Sequence, residues 1–154
     1  MNLIVFLLEN ARYSLDVKNV EEIIPLPYIT PLANLPSFIR GIINLRGAAV
    51  PVVDLRKRIG LKSKSDELND TVIIVNFHDT ITGLIVDRVL YVIDVYEDQF
   101  IPPPEMLNGI DVKYMYAAVQ VDKQLTVVLN LDNILTLKER EELLGLDVCH
   151  ADIG

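Results

Sequence analysis

A chain of 154 residues, 51% of them hydrophobic, can bury one proper core or two small ones that share strands, but it has no room for a second large domain. Its formal charge of −8 argues against a nucleic-acid partner, whose phosphates must be met by clustered Lys and Arg. The single cysteine, Cys149, excludes an internal disulfide and fits a reducing cytoplasm, and no run approaches the ~18 apolar residues of a membrane span.

The first eight residues are apolar but lack a positively charged leader, and Glu9-Asn10 follow too soon for a cleavage site, so they read as a strand. Beyond them, short runs rich in Val and Ile are broken about every eight to twelve positions by turn residues, the spacing of an all-β sandwich or barrel. Strands are predicted over 3–9, 12–18, 20–25, 41–45, 48–54, 71–77, 81–87, 89–95, 115–121 and 125–130. The segment from Pro25 to Pro36 holds four prolines; with φ fixed and no N–H to donate, it is an ordered connection and not a central strand. Ile101-Pro102-Pro103-Pro104 is a second connection of that kind, and the polar run between Leu61 and Asp70 reads as a mobile loop. Short helical turns are expected from Leu55 to Ile59, stopped by Gly60, and from Leu131 to Leu135, with a further helix from Lys138 to Leu144. The uninterrupted run from Gly83 to Ile93 is too long for one flat strand and should bend near Asp87-Arg88, serving two sheets.

The pattern repeats. Residues 6–24 lie on 75–93 without a gap, so that Leu15, Val17, Val20, Ile23 and Ile24 meet Leu84, Val86, Val89, Val92 and Ile93. Setting Arg46-Gly47 on Asp122-Lys123 likewise puts Gly41 on Ala117 and Val52-Val53-Asp54 on Val128-Leu129-Asn130. Two small barrels of about five strands each follow, with a groove between them lined by Val and Ile of the shared strands.

Candidate chemistry is sparse. Asp54, Asp87, Asp94 and Asp132 close apolar runs, where Asp caps the next turn; a small hydrolase using Asp54 and Asp87 is the competing reading, and no protease motif supports it. Arg56-Lys57-Arg58, with Lys62 and Lys64 beyond, reads as a solvated face. His78 falls in a β-turn, and Cys149 and His150 are neighbours in the tail, without the spacing of a metal or nucleophile site. What is left is apolar surface, which suits a binding module.

The residues Phe38-Ile39-Arg40-Gly41-Ile42-Ile43-Asn44-Leu45-Arg46-Gly47, followed by Val50-Pro51-Val52-Val53-Asp54-Leu55-Arg56, resemble the signature of the CheW-like family of bacterial chemotaxis coupling proteins. Val20 to Ile24, Gly83 to Val89 and Ile101 to Pro104 match it too, in order, between about Phe6 and Leu135. The resemblance implies two intertwined five-stranded SH3-like β-barrels with a few short helices, forming one domain over residues 1–135, with a C-terminal helix and tail over 136–154. It also implies no catalytic activity, no cofactor and no metal, and a cytoplasmic adaptor that joins transmembrane chemoreceptors to the regulatory domain of the histidine kinase CheA. The receptor's helical tip would dock between the barrels, and the kinase would pair barrel to barrel. An adaptor of a surface-motility or developmental pathway would read the same way.

Carried over by motif, the partner-binding candidates are Glu22, Gly41, Asn44, Arg46, Val86 and Asp87. Each has a reading internal to the fold: Gly41 for close packing, Val86 as core, Asp87 as a strand-end cap, and Arg46 paired with a carboxylate such as Asp54 or Asp87. The sequence departs from the family at Ala117, where many relatives carry Gly, and at Asp122-Lys123, which lacks the Arg–Gly of the first hairpin.

Overall fold

A computed structural model describes residues 1–61, 70–107, 109–136 and 139. In chain order the strands are β1 (Asn2–Leu8), β2 (Ala11–Asp16), β3 (Val20–Pro25), β4 (Ile39–Leu45), β5 (Ala48–Asp54), β6 (Thr71–Phe77), β7 (Thr80–Val86), β8 (Arg88–Asp94), β9 (Met106–Leu107), β10 (Ile110–Asp111), β11 (Met115–Val121) and β12 (Gln124–Leu129). Helix α1 (Leu55–Arg58) follows β5 and helix α2 (Leu131–Ile134) follows β12. The predicted strands and the two short helices are all present, with ends shifted by a residue or two. The small β9–β10 pair and 3-10 turns at Val17–Asn19, Glu97–Gln99 and Val112–Tyr114 are additions. The loop expected over 62–69, the helix expected over 138–144, and Cys149 with His150 lie outside the described residues.

The strands form two sheets of five, ordered β11-β12-β2-β1-β8 and β3-β6-β7-β5-β4. The second uses the middle of the chain and is called here the middle barrel; the first uses both ends and is the terminal barrel. Each hairpin-plus-strand unit sends its third strand to the other barrel: β3 leaves β1–β2 to pair with β6, and β8 leaves β6–β7 to pair with β1. The bend expected near Asp87-Arg88 is this crossing, between β7 and β8.

The sequence repeat holds at the level of single ladder rungs. In the middle barrel Val52 pairs with Gly83 across the parallel β5–β7 contact, and in the terminal barrel their counterparts Val128 and Ser14 pair across β12–β2. The ladders slip at matching points, between Ile39 and Gly41 in one and between Met115 and Ala117 in the other. Both proline-rich connections add one bridge to the equivalent strand, Thr30 to Ile42 and Ile101 to Ala118.

Strands buried on both faces explain why the apolar runs barely alternate. In β6, Ile73 and Val75 face a core shared with Phe6, Leu8, Tyr13 and Leu15 of the terminal barrel, while Val72 and Ile74 face the interior of their own barrel with Val50, Val52 and Ile85. At about 1.5–3 kcal/mol per fully buried aliphatic side chain, this shared core binds the barrels into one unit. The groove was expected to be lined by Val and Ile of the shared strands; on the crossing strands β3 and β8, Ile23 and Val92 are exposed and Val20, Ile24, Val89 and Ile93 are half-buried, while the apolar residues of β6 close the core.

Candidate functional site

The β4–β5 hairpin closes on the pair Leu45–Ala48, leaving Arg46 and Gly47 as a two-residue turn. Both have positive φ, 51° and 87°, as a type I′ turn requires. Asn44 holds the turn: its Oδ1 accepts from the Gly47 N–H at 2.8 Å. The terminal barrel makes the same turn with Asp122 and Lys123, at φ 50° and 64°, so backbone conformation alone does not demand the glycine.

With its backbone held in this way, Arg46 extends its guanidinium to β3. Nη1 and Nη2 donate to the two carboxylate oxygens of Glu22, at 3.0 and 2.5 Å. Since β3 and β4 are the two edges of the middle sheet, the fork ties edge to edge where no backbone ladder does. Arg46 was expected to find Asp54 or Asp87; the partner is Glu22, because the turn at the far end of the hairpin points away from the strand end that carries Asp54. The hydrogen bonds from Arg46, assisted by its charge and opposed by slight desolvation, hold the Glu22 carboxyl below its ordinary range, and the same bonds raise Arg46. The pair remains open to solvent: the Arg46 side chain is 72% exposed.

Gly41 acts within the fold. A Cβ at this position would stand 2.1 Å from the Thr30 carbonyl oxygen, and its φ is 145°. The missing side chain lets Thr30 approach and exchange two hydrogen bonds with Ile42, at 2.8 and 2.9 Å, which seats the first proline-rich connection along β4.

Val86 and Asp87 belong to a second place, the β7–β8 crossing. Val86 is fully buried in the shared core, so any influence it has on a partner passes through packing. Asp87 fastens the barrels: its Oδ1 accepts from Arg56 Nη1 at 3.0 Å, its Oδ2 accepts from the Glu9 N–H at 2.8 Å in the β1–β2 turn, and its own N–H donates to Leu7 at 3.1 Å.

That arginine overturns the solvated-face reading of residues 56–58. Arg56 is fully buried, with Nε donating to Asp54 at 3.1 Å and Nη1 lying 3.6 Å from Asp70. Burial works to lower its pKa, but the hydrogen bond to Asp54 and the charges of Asp54, Asp70 and Asp87 prevail and raise it. Arg58 lies with its guanidinium carbon 4.7 Å from the ring centroid of Phe38 and 5.4 Å from that of Tyr114, and its Nε donates to the Ile134 carbonyl at 2.8 Å. Arg56 and Arg58 form an internal seam, because Asp70 and Asp87, distant in sequence, converge with the Asp54 that caps α1. Asp54 and Asp87, the pair on which a hydrolase reading depends, have this guanidinium between them. The capping role expected of Asp54 is present, whereas α2 is capped by Asn130 and Asp132 lies in its first turn. His78 is in its turn, exposed, 3.5 Å from Asp132. Among the described residues no three His, Cys, Asp or Glu are grouped to hold a metal ion, and no helix is long and apolar enough to cross a membrane.

Two interlocked barrels, one carrying an exposed Arg–Glu clasp, define a small β scaffold. Residues 2–139 match the model of the CheW-like domain, and the chain belongs to that family. It is 31% identical over 136 residues to the chemotaxis protein CheW of Klebsiella aerogenes, covering 88% of this chain and 82% of that one. It is 30% identical over 148 residues to the CheW of Treponema pallidum, covering 94% and 87%. The crystal structure of the scaffolding protein TtCheW from Thermoanaerobacter tengcongensis superposes with a TM-score of 0.81 at 33% identity, covering 90% of this chain and 89% of the other. The chain is accordingly a chemotaxis adaptor of the CheW type.

Proposed function

We propose that the protein is a non-enzymatic cytoplasmic coupler that holds the cytoplasmic tip of a chemoreceptor and the regulatory domain of the kinase CheA at the same time, with no cofactor. The observation that carries this reading is the Arg46–Glu22 clasp, an exposed bidentate ion pair at the edges of the middle barrel, whose counterparts in the terminal barrel are Asp122 and Tyr91. Exposed pairs contribute little to stability, so a rigid fork kept in solvent is better explained by the surface it presents than by the fold it supports. Glu22, Asn44 and Arg46 form the contact surface itself, Gly41 shapes it by seating the neighbouring connection, and Val86 and Asp87 set how the two barrels stand to each other.

The test is titration of the full chain with a receptor cytoplasmic fragment and, separately, with the kinase regulatory domain, by calorimetry. Arg46→Glu is expected to weaken at least one of the two about tenfold or more, the usual scale for a charged contact turned repulsive. Unchanged affinity for both would remove Arg46 from the interface. The charge-swapped double variant Glu22→Arg, Arg46→Glu separates bracing from contact: restored binding assigns the pair to bracing, and continued loss assigns it to contact.

A further inference from the structure

Four arginines among the described residues are packed into the fold, and three of them meet a carboxylate. Arg40 lies 3.6 Å from Asp54, Arg56 lies 3.1 Å from it, and Arg58 lies 2.7 Å from Glu139. Arg12, half-buried on β2, has a phenol in place of an acid: its Nη1 donates to the Tyr91 oxygen at 3.1 Å, and its guanidinium carbon lies 5.9 Å from that ring's centroid. In a chain with 22 Asp and Glu against 14 Lys and Arg, a packed guanidinium without a carboxylate is the exception. The internal repeat locates the difference, because Tyr91 is the counterpart of Glu22 and Asp122 that of Arg46. Acid and base that meet as a clasp in the middle barrel are replaced here by a phenol and an exposed turn, Asp122-Lys123, that brings no net charge.

The ladder adds a second cation. Leu7 of β1 pairs with Arg12 on one side and with Arg88 on the other, so the three side chains share one face of the terminal sheet. Arg88 is exposed, and neighbouring Asp87 is already held by Arg56 and the Glu9 N–H. Beyond Arg12 the rung continues to Thr126, fully buried, whose Oγ1 has no hydrogen-bond partner among the described residues. Along the rung Thr126, Arg12, Leu7 and Arg88 there are two guanidinium groups and no carboxylate.

We propose that this face of the terminal barrel receives a carboxylate from an acidic segment of a partner protein, completing from outside the pair that Glu22 and Arg46 make within the middle barrel. A carboxylate accepts two parallel N–H bonds from a guanidinium fork, and the bond to Tyr91 fixes the orientation in which Arg12 presents its remaining donors. Leu7, half-buried between the two arginines, offers apolar wall for the stem of a glutamate. Arg88 stands two strand spacings from Arg12, roughly 10 Å, within reach of a second acidic residue on the same segment. The net charge of −8 repels such a segment from most of the surface, so its attachment is confined to where cations stand unpaired.

The experiment is a side-chain NMR titration of the full chain, following the Arg12 and Arg88 Nε–H groups and the Leu7 methyls, with N-acetyl-glutamate methylamide, its glutamine counterpart and acetate. Saturable shifts are expected with the glutamate probe. The glutamine probe, of nearly the same shape without the charge, should bind at least about fivefold more weakly, and so should acetate, which lacks the stem that lies on Leu7. Equal binding of the glutamine probe, equal binding of acetate as an adventitious ion only, or no saturable shift overturns the proposal. Arg12→Gln removes the fork and should lower glutamate-probe affinity about tenfold or more. Tyr91→Glu supplies the carboxylate from within, as Glu22 does for Arg46, and should also weaken the probe about tenfold. With the resonances of buried Ile43 in the other barrel unmoved as a check on the fold, wild-type affinity in either variant overturns the proposal.

Discussion

The middle and terminal barrels repeat one another strand for strand, down to the rungs at which their ladders slip, yet they spend their polar residues differently. The middle barrel buries an arginine among Asp54, Asp70 and Asp87 at its base and clasps its edges with Arg46 and Glu22. The counterparts in the terminal barrel are Asn130 and Asp132 at the base, and Asp122 and Tyr91 at the edge; Tyr91 accepts a bond from Arg12 of β2 at 3.1 Å instead of meeting the turn. The same backbone therefore tolerates a base with a buried guanidinium and one whose equivalent side chain, Asp132, is exposed. Backbone ladders and shared core make the fold, and charge distinguishes one barrel from the other.

The contrast breaks most sharply at Arg56. Arg56→Met removes the guanidinium that Asp54, Asp70 and Asp87 share, leaving Arg40 3.6 Å from Asp54, and should cost about 3–5 kcal/mol, whereas Asp132→Ala at the equivalent exposed position should stay within about 0.5 kcal/mol. Urea denaturation of the two variants measures both; similar costs would mean that the ionic base is not an anchor. Asp87→Asn retains one acceptor oxygen and loses the charge, so a smaller loss of about 1–3 kcal/mol is expected.

A second contrast lies at the hairpin entries. Gly41→Ala would drive a Cβ into the Thr30 carbonyl, and relief requires the proline-rich connection to move; more than about 2 kcal/mol should be lost. The terminal barrel already carries Ala117 there, and Ala117→Gly should cost about 0.5–1 kcal/mol through backbone entropy alone. Thermal denaturation compares them, and equal losses would deny that Gly41 is needed to admit the Thr30 carbonyl.

The architecture was legible because its cause is local. Short β-branched runs, turn residues between them and an internal repeat carry the strand order, and the repeat alone predicts that Val52 and Val128 stand at equivalent rungs. The ion pairs were not legible in the same way. The reading of Arg46 internal to the fold names Asp54 or Asp87 as examples of a nearby carboxylate, but partner choice depends on which end of a hairpin meets which edge, and that is set by the closing of the barrel. Arg56 was read as solvated because a basic triplet normally is. Only the convergence of Asp54, Asp70 and Asp87, contributed by three separate segments, makes a buried guanidinium affordable. Gly41 was recognised as a packing position, but the atom it makes room for, Thr30 O, belongs to an irregular segment whose path no periodicity describes.

The smallest expected effect belongs to the Arg46–Glu22 clasp, and its sign is fixed. Arg46 holds the Glu22 carboxyl below its ordinary value, so the unfolded chain takes up that proton at higher pH than the folded one. The clasp's contribution is then fully present above the unfolded carboxyl's pKa and fades as pH falls through the folded one. Arg46→Ala should move the Glu22 titration, followed by carboxyl carbon NMR, back up to the ordinary range, and should flatten the acid limb of the stability curve slightly. Added salt should have the same direction of effect in the wild type, since both groups are open to solvent. A Glu22 titration indifferent to Arg46 would mean that the fork is open in solution, and the contrast between the barrels at their edges would then disappear.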